Sequence, residues 1–364
     1  MKIGVIQPAQ YDFGGGHVYA EEVAAALNGE VLWMQTPKFS SKPHVVLPKS
    51  DDEAVAVLRA HEKVLLPVAR FPRGHLTERL LRLLRASGVP WTFVQQDAIV
   101  DKQMPYHELL SLPGYTGRAV TTVREYGAAF DKAYGTSLKW LVTPHLPYTP
   151  CCQGPPPMPT THTLVSTSRT EFTKGIGPLT YIANLLCINV VLGGRSVPNR
   201  AGYASGTLAE NLRDSGWAFV PHDWQIGKYK PGPWQAISPN GGSIKYLSGY
   251  KSAFDLLRDA RAHVNLASNR RAFGHLEYVT LEAMDAGVPC VLPQHQDPRH
   301  EYEGLFCVQD YRTAGQCNLE DLAEKIGAAL TCENREEICQ SMRSDLIWIH
   351  NPTAYGRLLL KGAF

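Results

Sequence analysis

The sequence predicts an α/β protein of two doubly wound, mainly parallel halves, and three observations predict it. Short apolar runs alternate with helix-patterned segments, a proline-dense stretch interrupts them, and the alternation then restarts. The chain has 364 residues, a length that suits two domains at roughly 150 residues each. Hydrophobic residues make up 44% and charged residues 19%, an ordinary globular mixture that excludes a disordered, collagen-like or coiled-coil chain. The formal net charge is +2, which argues against a histone-like or tail-driven nucleic-acid binder and leaves room for a local basic cleft.

In the first half, strands are expected at Lys2–Ile6, Val31–Met34, Lys63–Pro67, Thr92–Gln95, Ala119–Val123 and Lys139–Val142. Helices are expected at Val18–Leu27, Ala54–Ala60, Leu76–Ala86 and Val123–Ala133. Strands alternating with helices imply a parallel sheet covered on both faces, and the nearly all-apolar strands fit burial on both sides. Residues 143–160 then hold seven of the 26 prolines. Proline lacks an amide donor and fixes its own backbone, so this stretch cannot enter a sheet interior and reads as a linker.

The second half has expected strands at Thr163–Thr167, Ile188–Leu192, Ala218–Pro221, Ser243–Leu247, His263–Leu266, Cys290–Leu292 and Phe306–Val308. Its expected helices are Pro178–Leu186, Thr207–Asp214, Ser252–Ala260, Tyr278–Ala286, Leu319–Leu330, Arg335–Trp348 and Pro352–Leu360. The domains are therefore expected at 1–150 and 161–340, with 341–364 as helices returning toward the first domain. Ligands of such sheets bind outside the carboxyl ends of the strands, and a cleft between the halves is expected to hold them.

No stretch approaches the ~18–20 apolar residues of a membrane span, and Met1–Ile6 is too soon broken by Gln7-Pro8 to be a signal peptide. The eight cysteines form no CxxC pair, which disfavours a zinc site. Cys187, Cys290 and Cys307 lie in apolar runs and are expected to be buried thiols of a reduced, cytoplasmic protein.

Three motifs carry candidate chemistry. Gly14-Gly15-Gly16 follows the first strand and precedes a helix, where glycines permit close backbone approach and free amides favour an anion. It is not GxGxxG, and no GxxxxGK[ST] exists, so nicotinamide and P-loop readings weaken; a plain turn is the alternative. Arg169 and Lys174 lie on the loop after the first strand of the second half. An arginine fork and a lysine point charge can hold a diphosphate, or both can be solvated surface charges. In Leu276–Pro289, Leu281 and Met284, with Val288, give a buried face, Gly287 is the expected helix stop, and Glu282 stands among apolar positions. An unpaired carboxylate there is costly. A ribose hydroxyl pair or a salt bridge could satisfy it.

Glycine loop, Arg-x4-Lys and a Glu-bearing helix ending AGxP, in that order, resemble the retaining GT-B glycosyltransferases. The resemblance implies two Rossmann-like domains. It also implies that Arg169 and Lys174 bind a sugar-nucleotide diphosphate, that Glu282 binds its ribose, and that the glycine loop (Gly14, Gly15, Gly16) approaches phosphate and sugar. Eight residues before Glu282 stands Gly274, where many of these enzymes have Glu; the nearest acid is Glu277. LEYVTLE, RTEFTKG and Val94-Gln95-Gln96-Asp97 are instead similar to segments of the DNA α-glucosyltransferases of T-even phages. Those enzymes lack the earlier Glu and place an acid where Glu277 stands. Their strand-end motif has His where Gln96 stands here, and its Asp corresponds to Asp97.

This resemblance implies retaining transfer of a sugar to the hydroxymethyl group of a pyrimidine in double-stranded DNA. The implied donor is a UDP-sugar, with UDP-glucose expected, and the implied acceptor base is 5-hydroxymethylcytosine. Arg169 and Lys174 would stabilise the leaving diphosphate without a metal, Glu277 would contact the donor, and Asp97 would orient or deprotonate the acceptor hydroxyl. Flipping the base out costs a few kcal/mol, so a backbone-gripping surface is expected. Arg70, Arg73, Arg79, Arg82 and Arg85 are its candidates, the last three at one-face helical spacing, against the reading of a solvated helix face. His222–Trp224, Lys228–Lys230 and Trp234 mix bases and aromatics suited to stacking, or to a packed loop. Two other functions are compatible with these motifs: a GT-B enzyme for a small glycan or lipid acceptor, and a non-catalytic nucleotide-sugar or DNA-binding protein.

Overall fold

The computed structural model describes residues 2–7, 15–37, 42, 44–67, 75–96, 105–151, 162–168, 174–193, 212–220, 233–247, 253–268, 273–311 and 316–364. Most of the helix expected at Thr207–Asp214 lies outside them. The chain divides into two compact units, Met1–Thr149 with Trp348–Phe364, and Pro150–Ile347.

The first unit runs β1 (Ile3–Gln7), α1 (Gly15–Ala26), β2 (Glu30–Trp33), β3 (His44–Val46), α2 (Asp51–Arg59), β4 (Lys63–Leu66), α3 (His75–Ser87), β5 (Trp91–Gln95), α4 (Tyr106–Leu110), β6 (Arg118–Thr121), α5 (Arg124–Tyr134) and β7 (Lys139–Val142). Its strands form one parallel sheet in the order β3-β2-β1-β4-β5-β6-β7. The strands are apolar because both faces are covered. Ile6, Leu32, Leu66 and Phe93 pack in one cluster with Leu76, Leu80 and Leu84 of α3. The leucines of α3 fall on one face and leave Arg82 and Arg85 on the other, the separation expected of a surface helix. Two elements were not expected. β3 has only three residues and no fully buried one, and α4 has five; both are too short to leave a hydrophobic period in the sequence.

The second unit runs β8 (Thr163–Ser166), α6 (Ile176–Leu185), β9 (Asn189–Leu192), β10 (Ala218–Val220), β11 (Trp234–Ile237), β12 (Ser243–Tyr246), α7 (Ala253–Leu257), β13 (Ala262–Val264), α8 (Tyr278–Asp285), β14 (Cys290–Pro293), β15 (Leu305–Val308), α9 (Leu319–Thr331) and α10 (Arg335–Ile349). The terminal α11 (Pro352–Gly362) belongs to the first unit, where the Tyr355 and Tyr19 hydroxyls meet at 2.6 Å. The second sheet has the order β10-β11-β12-β9-β8-β13-β14-β15. From β12 to β15 neighbouring strands are parallel.

The sheet is mainly parallel, as expected, but the edge formed by β10, β11 and β12 is antiparallel; the short connection through Asn240-Gly241 turns β11, a strand that was not expected, directly back into β12. Two expectations need correcting here. Trp234 is not on a stacking loop: it lies on β11, is 2% exposed, and packs between Phe219 and Tyr246. Cys187 is exposed rather than buried. It takes a positive φ of 53° just past α6, where the chain reverses into β9 and Ile188 becomes the buried residue. Cys290 is buried and Cys307 half-buried, and all described cysteines are free.

Candidate active site

The carboxyl end of β8 and the carboxyl end of β13 are adjacent in the second sheet, because those strands pair directly. Ser168 follows β8, and the chain reaches Lys174 just before α6. Gly175 makes that turn. Its φ is +74°, and a Cβ there would stand 2.3 Å from the Leu266 Cβ, so both conformation and space select glycine. Lys174 is 5% exposed. A lysine so buried needs a counter-charge, and the Glu277 carboxylate supplies it, with both oxygens accepting from Nζ, one of them at 2.6 Å.

Glu277 is the N-cap of α8. Its side chain turns to Lys174 instead of capping the helix, and Asn265 Nδ2 donates to its Oε2 at 3.0 Å. Burial raises the carboxyl's pKa, but the Lys174 ammonium, its hydrogen bonds and Asn265 outweigh burial and hold the pKa below the usual range. Glu282 is on α8, one turn further on and half-buried. Leu281 and Met284 beside it are fully buried, and Gly287 ends the helix with φ 66°, as the sequence pattern predicts. No described side chain hydrogen-bonds to Glu282. Burial, and then the Asp285 carboxylate, push its pKa up to about 7. Asp285 is fully buried and accepts from the Cys151 amide at 2.8 Å. Lys174 and Glu277 thus meet at one edge of the second unit, and Glu282 lies on the helix that Glu277 opens. Arg169 lies outside the described residues, on the loop that Ser168 opens.

In the first unit, Gly15 and Gly16 form the first turn of α1 directly after the β1 connection; Gly14 lies outside the described residues, as do Asp97, Arg70, Arg73, His222–Trp224 and Lys228–Lys230. Gln96 follows β5, and its Nε2 is buried without a hydrogen-bond partner among the described residues. Gln7 Oε1 at the end of β1 and Thr122 Oγ1 after β6 are in the same condition. Buried groups left unpaired are rare and mark a place where water or a ligand completes the bonding. The basic candidates on α3 are engaged. Arg79 Nε donates to Asp51 at 3.0 Å and its Nη2 to the Pro48 carbonyl; Arg82 Nε donates to Asp51 at 3.0 Å, and Arg85 Nη2 to Glu108 at 2.8 Å. The two arginines hold the Asp51 pKa below its usual value.

Asn265, Ser168 and Gln296 were not singled out from the sequence as site residues. The available signal was Asn265 itself, an amide closing an apolar strand, where burial without partners is costly. Among the described residues no cluster of three or more His, Cys, Asp or Glu could hold a metal ion, and no helix is long and apolar enough to cross a membrane.

No protein-family profile and no curated protein sequence matches the chain. Solved structures match it over 99% of its length. Anabaena HepE in complex with UDP-glucose is 13% identical, with 98% of that chain covered and a TM-score of 0.65. An α-glucosyltransferase in complex with UDP and a 13-mer DNA is 11% identical, 98% covered, with a TM-score of 0.67. The lipopolysaccharide outer core galactosyltransferase WaaB is 12% identical, 99% covered, with a TM-score of 0.55. Two of these neighbours are named as sugar transferases, and the chain shares the fold of all three: two Rossmann-like, mainly parallel-sheet domains of the GT-B type.

Proposed function

We propose that the protein is a retaining DNA glycosyltransferase that transfers glucose from UDP-glucose to the hydroxymethyl group of 5-hydroxymethylcytosine. The observation that carries this reading is the buried Lys174–Glu277 pair at the carboxyl ends of β8 and β13, at the start of the helix that bears Glu282, within motifs similar to those of the phage DNA α-glucosyltransferases. The fold-level likeness to an α-glucosyltransferase bound to UDP and DNA supports it.

In this reading the bond from the sugar's anomeric carbon to the β-phosphate oxygen breaks, and its electron pair leaves with UDP. Lys174 and Arg169 oppose the charge that builds on the diphosphate, as cations set in place before reaction. Glu282 accepts from the ribose hydroxyls, and Glu277 holds Lys174 and contacts the donor. The acceptor hydroxyl attacks from the face the diphosphate leaves, which retains configuration. Asp97 orients or deprotonates that hydroxyl. Gln7, Gln96 and Thr122 offer uncharged hydrogen-bonding groups on the acceptor side. Arg70, Arg73, Arg79, Arg82 and Arg85 form the proposed DNA surface.

The engagement of Arg79, Arg82 and Arg85 by carboxylates favours a second reading, a GT-B enzyme whose acceptor is a small glycan or lipid. One assay separates them. The protein is incubated with UDP-glucose and duplex DNA containing 5-hydroxymethylcytosine, and the digested nucleosides are weighed. A gain of one hexose on the modified base supports the first reading. UDP release with no DNA product, across several donors and both hydroxymethylpyrimidines, refutes it.

A further inference from the structure

Asn265 immediately follows β13 and is fully buried. A primary amide has two N–H donors and a two-lone-pair acceptor, and here both ends are used. Nδ2 lies 3.0 Å from Glu277 Oε2 and 3.0 Å from Thr280 Oγ1, with Gln296 Oε1 at 3.5 Å. Oδ1 accepts from the Ser168 hydroxyl at 3.2 Å. The backbone is fixed as well: the amide donates to the Val291 carbonyl at 3.0 Å, and the carbonyl accepts from Gln296 Nε2 at 3.1 Å. Exchanging the two ends of the side-chain amide would set its oxygen against a carboxylate, so the bonding admits one orientation.

We propose that Asn265 is a positioning residue of the donor site: a single buried amide ties the loop that opens at Ser168 to the helix start at Glu277, and so sets the carboxylate that holds Lys174. This rests on the donor-site reading above. Among the described side chains that hydrogen-bond Glu277 there are one cation, Lys174, and one neutral donor, Asn265. If the donor is lost, the carboxylate is free to swing, and Lys174 loses the fixed partner that keeps its ammonium where a diphosphate would sit. A purely structural asparagine would affect stability alone. A positioning asparagine affects the charge balance at Glu277 and therefore its pH response.

Among the described residues, the charged and titratable groups facing Glu277 are Lys174 from the loop before α6, His275 from the segment before α8, and His295 from the short turn Gln294–Gln296. Burial keeps the His295 pKa low. Asn265→Asp changes little in shape but replaces a donor by an oxygen. While the introduced carboxylate is ionised it repels Glu277 and competes for Lys174. Once protonated it regains an O–H that donates to Glu277. UDP binding to the full-length protein is measured by calorimetry from mildly acidic to mildly alkaline pH, and Lys174 exposure by its rate of acylation, read by mass spectrometry without nucleotide. At alkaline pH, Asn265→Asp is expected to bind UDP about ten- to a hundredfold more weakly than the wild type, the loss of one hydrogen bond to a charged group. The deficit should shrink as pH falls, and Lys174 acylation should change with it. A deficit equal at every pH with wild-type acylation, or no deficit, overturns the proposal. Ser168→Ala removes only the hydroxyl that fixes the amide, and serves where Asn265→Asp does not fold. It is expected to weaken UDP binding severalfold and alter Lys174 acylation, and wild-type acylation overturns the proposal. Wild-type protein that binds no UDP refutes the donor-site reading itself. In that case a wild-type acylation rate in both variants refutes the Asn265–Glu277–Lys174 coupling separately.

Discussion

Replacing Lys174 by Met removes the cation from a buried pair whose side chains are 6% and 22% exposed. Breaking a fully buried pair costs about 3–5 kcal/mol, because the remaining charge is left uncompensated. Glu277 retains some solvent contact and the Asn265 hydrogen bond, so about 3 kcal/mol is expected at neutral pH, the low end of that range. Glu277→Gln alone leaves a buried ammonium facing an amide and costs a similar or smaller amount. The double variant removes both charges, and the singles should therefore overshoot it by about 2 kcal/mol, within the usual range for contacting pairs. The assay is urea unfolding of all four proteins, compared at midpoint with a shared slope. pH gives a second check. Because Lys174 depresses the Glu277 pKa below 4.5, the wild-type pair contributes stability above pH 4.5 that is lost as pH falls through the depressed value. In Lys174→Met the carboxyl is left with its burial penalty, protonates more readily, and the deficit against wild type should narrow in acid. Additive single effects, or a deficit independent of pH, would refute the pairing and with it the account of why Lys174 is buried.

The remaining predictions concern the rest of the site. Glu282, raised to about 7, holds a proton in the folded state that the unfolded chain releases near 4.5, so its contribution to stability falls as pH rises through that window. Because the ribose would donate to the carboxylate, UDP affinity should climb as pH rises through about 7 and stay flat in Glu282→Gln; parallel calorimetric profiles would remove Glu282 from the donor site. Gly175→Ala forces a positive φ on alanine and sets its Cβ against Leu266. A loss of about 1–3 kcal/mol together with weakened UDP binding is expected, and wild-type midpoints would show that the turn is not so constrained. Arg79 side-chain exposure is 13% and that of Arg82 is 55%. Arg79→Ala should therefore lower the unfolding midpoint. Arg82→Ala should leave it within about 1 kcal/mol and flatten the salt dependence of DNA binding by roughly one phosphate contact. An unchanged salt slope would place the DNA surface elsewhere.

Much of the fold was legible because strands buried on both faces must be apolar and surface helices must alternate. The expected helix at Tyr278–Ala286 is α8 with its glycine stop, and Leu319–Leu330 and Arg335–Trp348 are α9 and α10 within one residue at each end. β3, α4 and β11 escaped because three to five residues carry too little periodicity, and the antiparallel direction at β10–β12 because hydrophobic pattern does not encode strand direction. Glu282 and Lys174 were readable as ionisable residues in apolar or loop contexts. Their setting was not. The sequence could assign Glu277 to the donor only by resemblance, and only the packing of β8 against β13 brings Lys174, Glu277 and Asn265 together across 103 residues of chain.

What the sequence by itself determined was the alternation of strands and helices and the residue types on offer at their ends, since these follow from local periodicity and side-chain chemistry. Tertiary structure alone decided which of the 36 cations are committed. Lys174 is drawn to Glu277, and the α3 arginines to Asp51 and Glu108. Charge pairing depends on distances of a few ångströms between elements remote in sequence, and those distances exist only once the sheets have formed.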